Sequence, residues 1–259
     1  MNIQDVRCFL LDMDGTFYLG ENLIPGSLDF IRRVEETGRD FLFLTNNSSH
    51  NADFYVQRLK RMGLNVGSEK VLTSGEATAA VLKETYPGKR AFVLGNEFLL
   101  EEMREAGVTV DQTDPEIVVV GYDTTLDYKK MTAVCDHVRA GLPYIATHPD
   151  FNCPTETGFA PDIGAIMAFI EASTGRRADL VVGKPHTGIV QAALRRTGLQ
   201  VVQMAMVGDR LYTDIETGLK SGMLSILVMS GETTPEMLAA YPHKPDLVFE
   251  RLAEMIPLL

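Results

Sequence analysis

Short apolar runs alternate with stretches of helical period along this chain, and no other feature of the sequence limits its possible folds as much. Such alternation is typical of α/β proteins with a mostly parallel sheet. It predicts strands at residues 6–12, 40–45, 91–95, 117–122, 143–147, 178–182, 204–209 and 224–229. It predicts helices at residues 27–38, 51–62, 75–86, 97–107, 127–140, 164–174, 186–197, 214–221 and 247–258.

The middle third of the chain has its own series of predicted strands and helices, beginning near residue 91. This series forms either part of one long sheet or a separate domain inserted into the first. Periodicity alone is compatible with both arrangements.

The composition excludes several functional classes. The chain has 259 residues, of which 45% are apolar and 23% charged, as is usual for a soluble globular protein. Its formal net charge of −11 argues against a nucleic-acid partner, which requires clustered Lys and Arg. No apolar stretch approaches the length of a membrane span, and the three cysteines lack the spacing of a disulfide framework or a zinc site. We therefore expect a cytoplasmic protein that binds neither nucleic acid nor membranes.

Polar groups suited to phosphate or Mg²⁺ follow four of the predicted strands. They are DMDGT (12–16), TNN (45–47), GKP (183–185) and GDRLYTD (208–214). Ligands of open parallel sheets bind beyond the carboxyl ends of the strands, near a change in strand order. The four segments are therefore expected to meet at one site.

Each segment taken alone has a simpler interpretation. The acids of DMDGT could close an Asx-turn. An EF-hand loop fits poorly, because that loop has its glycine at position 6, whereas Gly15 stands at position 4. The TNN segment could cap a helix, and the lysine of GKP could be merely solvated. The acids of GDRLYTD could cap the helix that follows. The functional interpretation depends on all four segments occurring together at strand ends.

Asp12, Asp209 and Asp214 would bring negative charge to one point, with Asp14 nearby. Two unit charges about 4 Å apart repel by roughly 4 kcal/mol at an effective dielectric constant near 20. A cation among the carboxylates removes this repulsion, and oxygen ligands with room for water and phosphate suit Mg²⁺.

The remaining polar groups would bind a phosphate. Lys184 would offset its charge, while Thr45 and the backbone N–H of Asn46 would donate hydrogen bonds to its oxygens.

The four segments, in this order, resemble the signature elements of the haloacid dehalogenase superfamily of phosphatases. Residues 48–182, 135 in all, separate the second element from the third, an arrangement similar to that of the NagD-like branch, which carries a large α/β cap there. The resemblance implies an α/β Rossmann-like core with a parallel sheet at residues 1–78 and 182–259. It implies an inserted α/β cap at residues 79–181.

The resemblance also implies the reaction, which is Mg²⁺-dependent hydrolysis of small organic phosphate monoesters through an aspartyl-phosphate intermediate. It makes Asp12 the nucleophile and Asp14 the general acid and base. The implied metal ligands are the Asp12 carboxylate, the Asp14 backbone carbonyl and Asp209, with support from Asp214. The implied phosphate-binding residues are Thr45, Asn46 and Lys184. Arg210 stands where this family often has another polar residue, and the resemblance gives it no role.

Residues 147–166 form the segment of the cap that we expect to select the substrate. The segment is rich in turn-forming residues and longer than an ordinary connection. Candidate substrate contacts are His148, Asp150, Asn152 and Asp162, although each could instead belong to a solvated loop.

Further expectations concern partners and rival functions. The substrate is expected to be a small phosphorylated metabolite, and the resemblance suggests a homodimer. A phosphotransferase or mutase would carry the same acids at positions 12 and 14. A non-catalytic protein that binds Mg²⁺ and phosphate is the alternative outside enzymes.

Overall fold

Parallel strands with helices between them make up most of the computed structural model, which describes residues 2–155 and 158–259. The strands, labelled β1 to β14 in chain order, are Cys8–Leu11, Tyr18–Leu19, Asn22–Leu23, Asp40–Thr45, Val71–Thr73, Ala91–Leu94, Ile117–Val120, Tyr144–Ala146, Asn152–Thr155, Gly158–Pro161, Leu180–Val181, Met204–Gly208, Leu224–Val228 and Leu247–Phe249. The α-helices, labelled α1 to α9, are Ser27–Glu36, Ala52–Arg61, Ser74–Thr85, Glu97–Glu105, Tyr128–Arg139, Ile163–Thr174, Thr187–Thr197, Glu216–Ser221 and Pro235–Ala240.

The chain forms two compact units. The core unit comprises the residues up to Thr45 together with Asp53–Leu72 and Lys184–Leu259. The cap unit comprises Asn46–Ala52 and Thr73–Gly183. This mixed α/β architecture with parallel sheets agrees with the predicted fold class.

The boundaries of the units differ from those that the sequence suggested. The sequence placed the first boundary after residue 78, which lies inside α3. Because α3 packs against α4, the whole helix belongs to the cap unit, whose second segment begins at Thr73. The segment Asn46–Ala52 also belongs to the cap unit, where Ser48 Oγ lies 3.0 Å from Thr147 Oγ1. The second boundary lies at Gly183 and Lys184 instead of residues 181 and 182.

The core unit contains a six-stranded sheet in the order β14-β13-β12-β1-β4-β5. β1 pairs in parallel with β12 on one side and β4 on the other, and its residues are buried. Leu11, the last residue of β1, lies opposite Val207 and Phe43. The carboxyl ends of β1, β4 and β12 are therefore neighbours in the middle of the sheet.

The cap unit contains a four-stranded parallel sheet in the order β11-β8-β7-β6. Helices α5 and α6 pack against each other and share one apolar core with this sheet. Val118 and Val120 of the sheet and Ile170 of α6 are fully buried in that core. The helical and strand periods of residues 91–174 were therefore sufficient to predict the strands and helices that form this core.

Residues 247–258 and residues 147–166 differ from the structure expected of them. Residues 247–258, predicted as a helix, begin with β14 and continue as the 3₁₀ helix Leu252–Leu258. The three residues of β14 are too few for a period to be read, and pairing with β13 decides their conformation. Residues 147–166, where the sequence predicts substrate contacts, contain the antiparallel hairpin of β9 and β10, whose mostly exposed residues give no apolar signal. Residues 156 and 157 of that segment lie outside the described residues.

Among the described residues, no helix combines the length and the apolar character that crossing a membrane requires.

Glu102 of α4 is a buried acid within the cap unit. Its carboxylate accepts a hydrogen bond of 2.7 Å from Thr73 Oγ1, while its second oxygen is buried and finds no hydrogen-bond partner among the described residues. Burial raises the pKa of Glu102 to about 8, and the Thr73 hydroxyl only partly opposes this rise. The folded protein therefore holds a proton on Glu102 that the unfolded chain, with a pKa near 4.5, releases as the pH rises.

We predict that Glu102→Gln stabilises the protein relative to the wild type increasingly as the pH rises from about 5 to about 8. The wild type loses stability in this window because only its folded state retains the proton, with a slope of at most about 1.4 kcal/mol per pH unit. Melting temperatures of both proteins across the window test this. Glu101→Gln, at an exposed neighbouring position, is the control. A Glu102→Gln difference that does not vary with pH would contradict the prediction.

Candidate active site

Asp12 occupies the central position at the carboxyl edge of the core sheet. It directly follows β1, and its backbone N–H donates a 2.9 Å hydrogen bond to the carbonyl of Val207 in β12. This bond continues the parallel pairing by one residue and fixes where the Asp12 side chain begins. The side chain is 14% exposed, so it remains accessible at the edge of a buried strand.

Asp12, Asp209 and Asp214 come together as the sequence predicted. Each offers one carboxylate oxygen, and these oxygens lie within 4.8 Å of one another. Asp209 and Asp214 are almost fully buried. Burial, followed by repulsion from Asp12 and Asp214, raises the pKa of Asp209. Because these acids share buried space and offer only oxygen ligands, they fit a divalent cation such as Mg²⁺.

Lys184 supplies positive charge inside this cluster. Its ammonium group donates hydrogen bonds to Asp12 Oδ1, to Asp214 Oδ1 at 2.7 Å, and to the backbone carbonyl of Leu44 at 3.2 Å. Burial by itself would lower the pKa of Lys184, but the Asp12 and Asp214 carboxylates outweigh burial and raise it. Lys184 is therefore a fully charged ammonium that neutralises part of the acid cluster.

Asp209 is held by residues that the sequence reasoning missed. Its Oδ2 accepts a 2.7 Å hydrogen bond from the backbone N–H of Glu232, and its Oδ1 accepts one of 3.2 Å from Thr16 Oγ1. Its backbone carbonyl accepts a hydrogen bond from Thr233 Oγ1. Glu232 and Thr233 belong to the loop after β13, SGET at residues 230–233. The rule that located the other segments could have found this one, since it also follows a predicted strand.

Two glycines let the backbone approach Asp209 closely. Gly15 has a φ of +87°, in the left-handed region that favours glycine. A Cβ atom at Gly15 or at Gly231 would overlap the Asp209 carboxylate. The Gly15 carbonyl accepts a 2.8 Å hydrogen bond from Ser230 Oγ, so the loops after β1 and β13 are joined directly.

Asp214 lies at a helix entrance that departs from the α-helical pattern. Residues Leu211–Ile215 form a π-helical turn before α8, where the sequence predicted an α-helix starting at residue 214. Asp214 Oδ2 accepts a 3.1 Å hydrogen bond from the backbone N–H of Arg210. Wide turns of this kind occur often at functional sites. Here the turn brings Asp214 back towards the end of β12.

Asp14 and Arg210 complete the charged groups around Asp12. Burial, followed by repulsion from Asp12, raises the pKa of Asp14, and the cations Arg58 and Arg210 partly oppose this rise. The Nε atom of Arg210 lies 3.0 Å from Glu232 Oε2. Burial would lower the pKa of Arg210, but Asp12 and Asp209 raise it. Arg210 is therefore a permanent cation whose field acts on Asp12.

Thr45 and Asn46 are adjacent in the chain but fall in different units. Thr45 is the buried last residue of β4, next to β1 in the sheet. Asn46 belongs to the cap unit, where its Nδ2 donates a 3.1 Å hydrogen bond to Asp150 Oδ2. Their predicted contacts with phosphate remain predictions.

The four candidate residues of segment 147–166 separate into two groups. His148, Asp150 and Asp162 lie together, with ligand atoms within 4.8 Å of one another. Asn152 lies on β9 and is exposed. Contact of any of the four with a substrate remains a prediction.

Two family models match separate parts of this chain. Residues 9–109 match a model described as haloacid dehalogenase-like hydrolase, and residues 181–255 match one described as HAD-hydrolase-like. The acid sugar phosphatase of Staphylococcus aureus is 34% identical over 255 residues, which cover 98% of each chain. The chain belongs to the haloacid dehalogenase-like hydrolase family.

Solved structures of the family support the NagD-like assignment. The 4-nitrophenylphosphatase of Thermotoga maritima superposes with a TM-score of 0.95 at 47% identity, covering 98% of this chain and 97% of that one. The NagD protein of E. coli K-12 superposes with a TM-score of 0.90 at 31% identity and covers 98% of both chains. The predicted family and its class of enzyme, a phosphomonoester hydrolase, are therefore confirmed.

We predict that Lys184→Met lowers the free energy of unfolding by about 3 kcal/mol or more in the presence of EDTA. Removing the ammonium leaves the Asp12 and Asp214 carboxylates without their buried counter-charge, a change that typically costs 3–5 kcal/mol. Urea denaturation measures the effect. Lys60→Met, at an exposed position of α2, is the control and is expected to change stability by less than about 0.5 kcal/mol. An equally small effect at Lys184 would contradict the charge balance described above.

Proposed function

We propose that this enzyme hydrolyses small organic phosphate monoesters with Mg²⁺ and forms an aspartyl-phosphate at Asp12. The observation that carries the proposal is the position of Asp12, at the central strand end among Asp209, Asp214 and Lys184. Such an arrangement offers a nucleophile, a cation site and a fixed positive charge at one point.

In the first step an Asp12 carboxylate oxygen attacks phosphorus. The new bond joins phosphorus to Asp12, and the bond between phosphorus and the ester oxygen breaks. Asp14 gives its proton to the leaving oxygen, which departs as an alcohol. The raised pKa of Asp14 supports this role, because a general acid must hold its proton until the bond breaks.

In the second step a water oxygen attacks phosphorus and the bond to Asp12 breaks. Asp14, now a carboxylate, takes a proton from this water, so that free phosphate leaves and Asp12 is restored. Lys184 keeps its positive charge near the transferring oxygens throughout. Thr45 and Asn46 are the proposed donors of hydrogen bonds to the same oxygens.

The proposed ligands of Mg²⁺ are the Asp12 carboxylate, the Asp14 backbone carbonyl and Asp209, with Asp214 in support. When bound, Mg²⁺ would neutralise charge on the phosphoryl oxygens and hold the reacting groups in line. The hydrogen bonds from Thr16 and Glu232 orient Asp209 for this role, as outer partners usually do for metal ligands.

The names of the similar proteins support a phosphate monoester as substrate. One is an acid sugar phosphatase and another a 4-nitrophenylphosphatase. We infer that a sugar phosphate, a nucleoside monophosphate or a comparable small metabolite is the natural substrate. The cytoplasmic location and the homodimer remain predictions.

We predict that Asp12→Asn reduces release of phosphate from 4-nitrophenyl phosphate by about 10³-fold or more, because the amide cannot attack phosphorus. The same assay on a panel of sugar and nucleoside phosphates identifies the preferred substrate. Asp29→Asn, at an exposed ion pair of α1, is the control and should retain wild-type activity. Wild-type activity in Asp12→Asn would refute the nucleophile. Transfer of phosphate to an added alcohol without free phosphate would favour a phosphotransferase.

We predict that EDTA reduces hydrolysis to background and that added Mg²⁺ restores it. The acid cluster repels an incoming phosphate unless a cation is bound, so activity should follow Mg²⁺ saturation. Circular dichroism before and after chelation checks that the fold is retained. Hydrolysis that persists in EDTA would count against the metal assignment, and a wild-type protein inactive with Mg²⁺ on every ester would favour the non-catalytic alternative.

A further inference from the structure

A second cluster of potential metal ligands lies within the cap unit, and the proposed reaction does not use it. His148, Asp150 and Asp162 each offer one ligand atom, and these atoms lie within 4.8 Å of one another. His148 follows β8 by two residues and is fully buried. Asp162 precedes α6, and its Oδ1 accepts a 2.6 Å hydrogen bond from the Ile163 N–H.

Among the described residues, one oxygen of this cluster has no hydrogen-bond partner. Asp150 Oδ2 accepts the hydrogen bond from Asn46, but Asp150 Oδ1 is buried and no described residue donates to it. A buried carboxylate oxygen without a donor is destabilising. This oxygen therefore points to a ligand beyond the described residues.

The charges of the cluster lead to the same conclusion. Two carboxylates share this space with one imidazole, whose Nε2 lies 3.1 Å from Asp162 Oδ1. Within the described residues, neither Asp150 nor Asp162 has a lysine or arginine within ion-pair distance. Two carboxylates this close repel one another strongly away from bulk water. A bound cation would remove this repulsion.

Every potential ligand is also oriented by an outer hydrogen bond. His148 Nδ1 lies 3.0 Å from Thr147 Oγ1, which leaves Nε2 as the nitrogen that faces the carboxylates. Asp162 is oriented by the Ile163 N–H and Asp150 by Asn46 Nδ2. Metal-binding histidines and carboxylates usually have such partners, which fix their orientation.

We propose that His148, Asp150 and Asp162 bind a divalent metal ion such as Zn²⁺. One imidazole nitrogen with two carboxylates suits Zn²⁺, whereas Mg²⁺ prefers oxygen ligands alone. The bound ion replaces the contact between His148 Nε2 and Asp162 Oδ1 and uses the buried Oδ1 of Asp150. It ties the end of β8 to the start of α6, across the base of the hairpin formed by β9 and β10.

Zinc titration of the full-length protein tests this site. The protein is stripped with a chelator, dialysed into saturating Mg²⁺, titrated with Zn²⁺, desalted and measured by elemental mass spectrometry. We expect about one equivalent of retained zinc on the wild type and on Asp209→Asn, which alters only the acid cluster of the core unit. We expect His148→Gln and Asp150→Asn to weaken zinc binding by at least about tenfold.

Two controls make the result decisive. Asp123→Asn changes another buried acid of the cap unit, one paired with Lys130 at 2.7 Å, and should retain zinc as the wild type does. Asp150→Asn guards against misfolding of His148→Gln, because an amide oxygen can still accept the hydrogen bond from Asn46. Zinc absent from the wild type, displaced by Mg²⁺, or retained equally by His148→Gln and Asp150→Asn would overturn the proposal. This readout is independent of phosphate release, so it holds or fails separately from the proposed hydrolysis.

Discussion

The core unit depends on a cluster at the end of its central strand, in which a lysine offsets the charge of three acids. Asp12, Asp209 and Asp214 crowd together there, and the Lys184 ammonium bonds two of them directly. Exposed ion pairs contribute little to stability, but breaking a buried pair leaves a charge without compensation. The core sheet must therefore hold these residues, which are far apart in the sequence, at fixed positions. The same arrangement that stabilises the acids also leaves the Asp12 side chain partly accessible.

The surroundings of the cluster are built to keep Asp209 in one orientation. Gly15 and Gly231 allow two loops to approach its carboxylate, while Thr16 and the Glu232 N–H donate hydrogen bonds to it. The π-helical turn likewise fixes the orientation of Asp214. In the proposed reaction, side chains that are fixed in advance lose little conformational freedom when a cation and a phosphate bind. Such preorganisation is what electrostatic catalysis requires.

The cap unit also contains buried polar residues that are held in place by hydrogen bonds. Its buried polar residues join the chain segment that follows β4, the end of β8 and the start of α6. Asp150 contacts Asn46, which follows the phosphate-binding candidate Thr45 in the chain. Residues 147–166 are thus linked to Asn46 of the TNN segment by a hydrogen bond that does not depend on any contact with substrate.

The sequence by itself determined the α/β class, the four polar segments at strand ends and the membership of the family. These follow from the periods of neighbouring residues and from short motifs, both of which are local. Only the tertiary structure decided the pairing of Lys184 with Asp12, 172 positions away, the support of Asp209 by the loop after β13, and the strand at Leu247–Phe249. It also assigned α3 to the cap unit and brought His148, Asp150 and Asp162 together. The physical reason is that such contacts depend on strand order and packing between distant segments, which no local pattern of residues encodes.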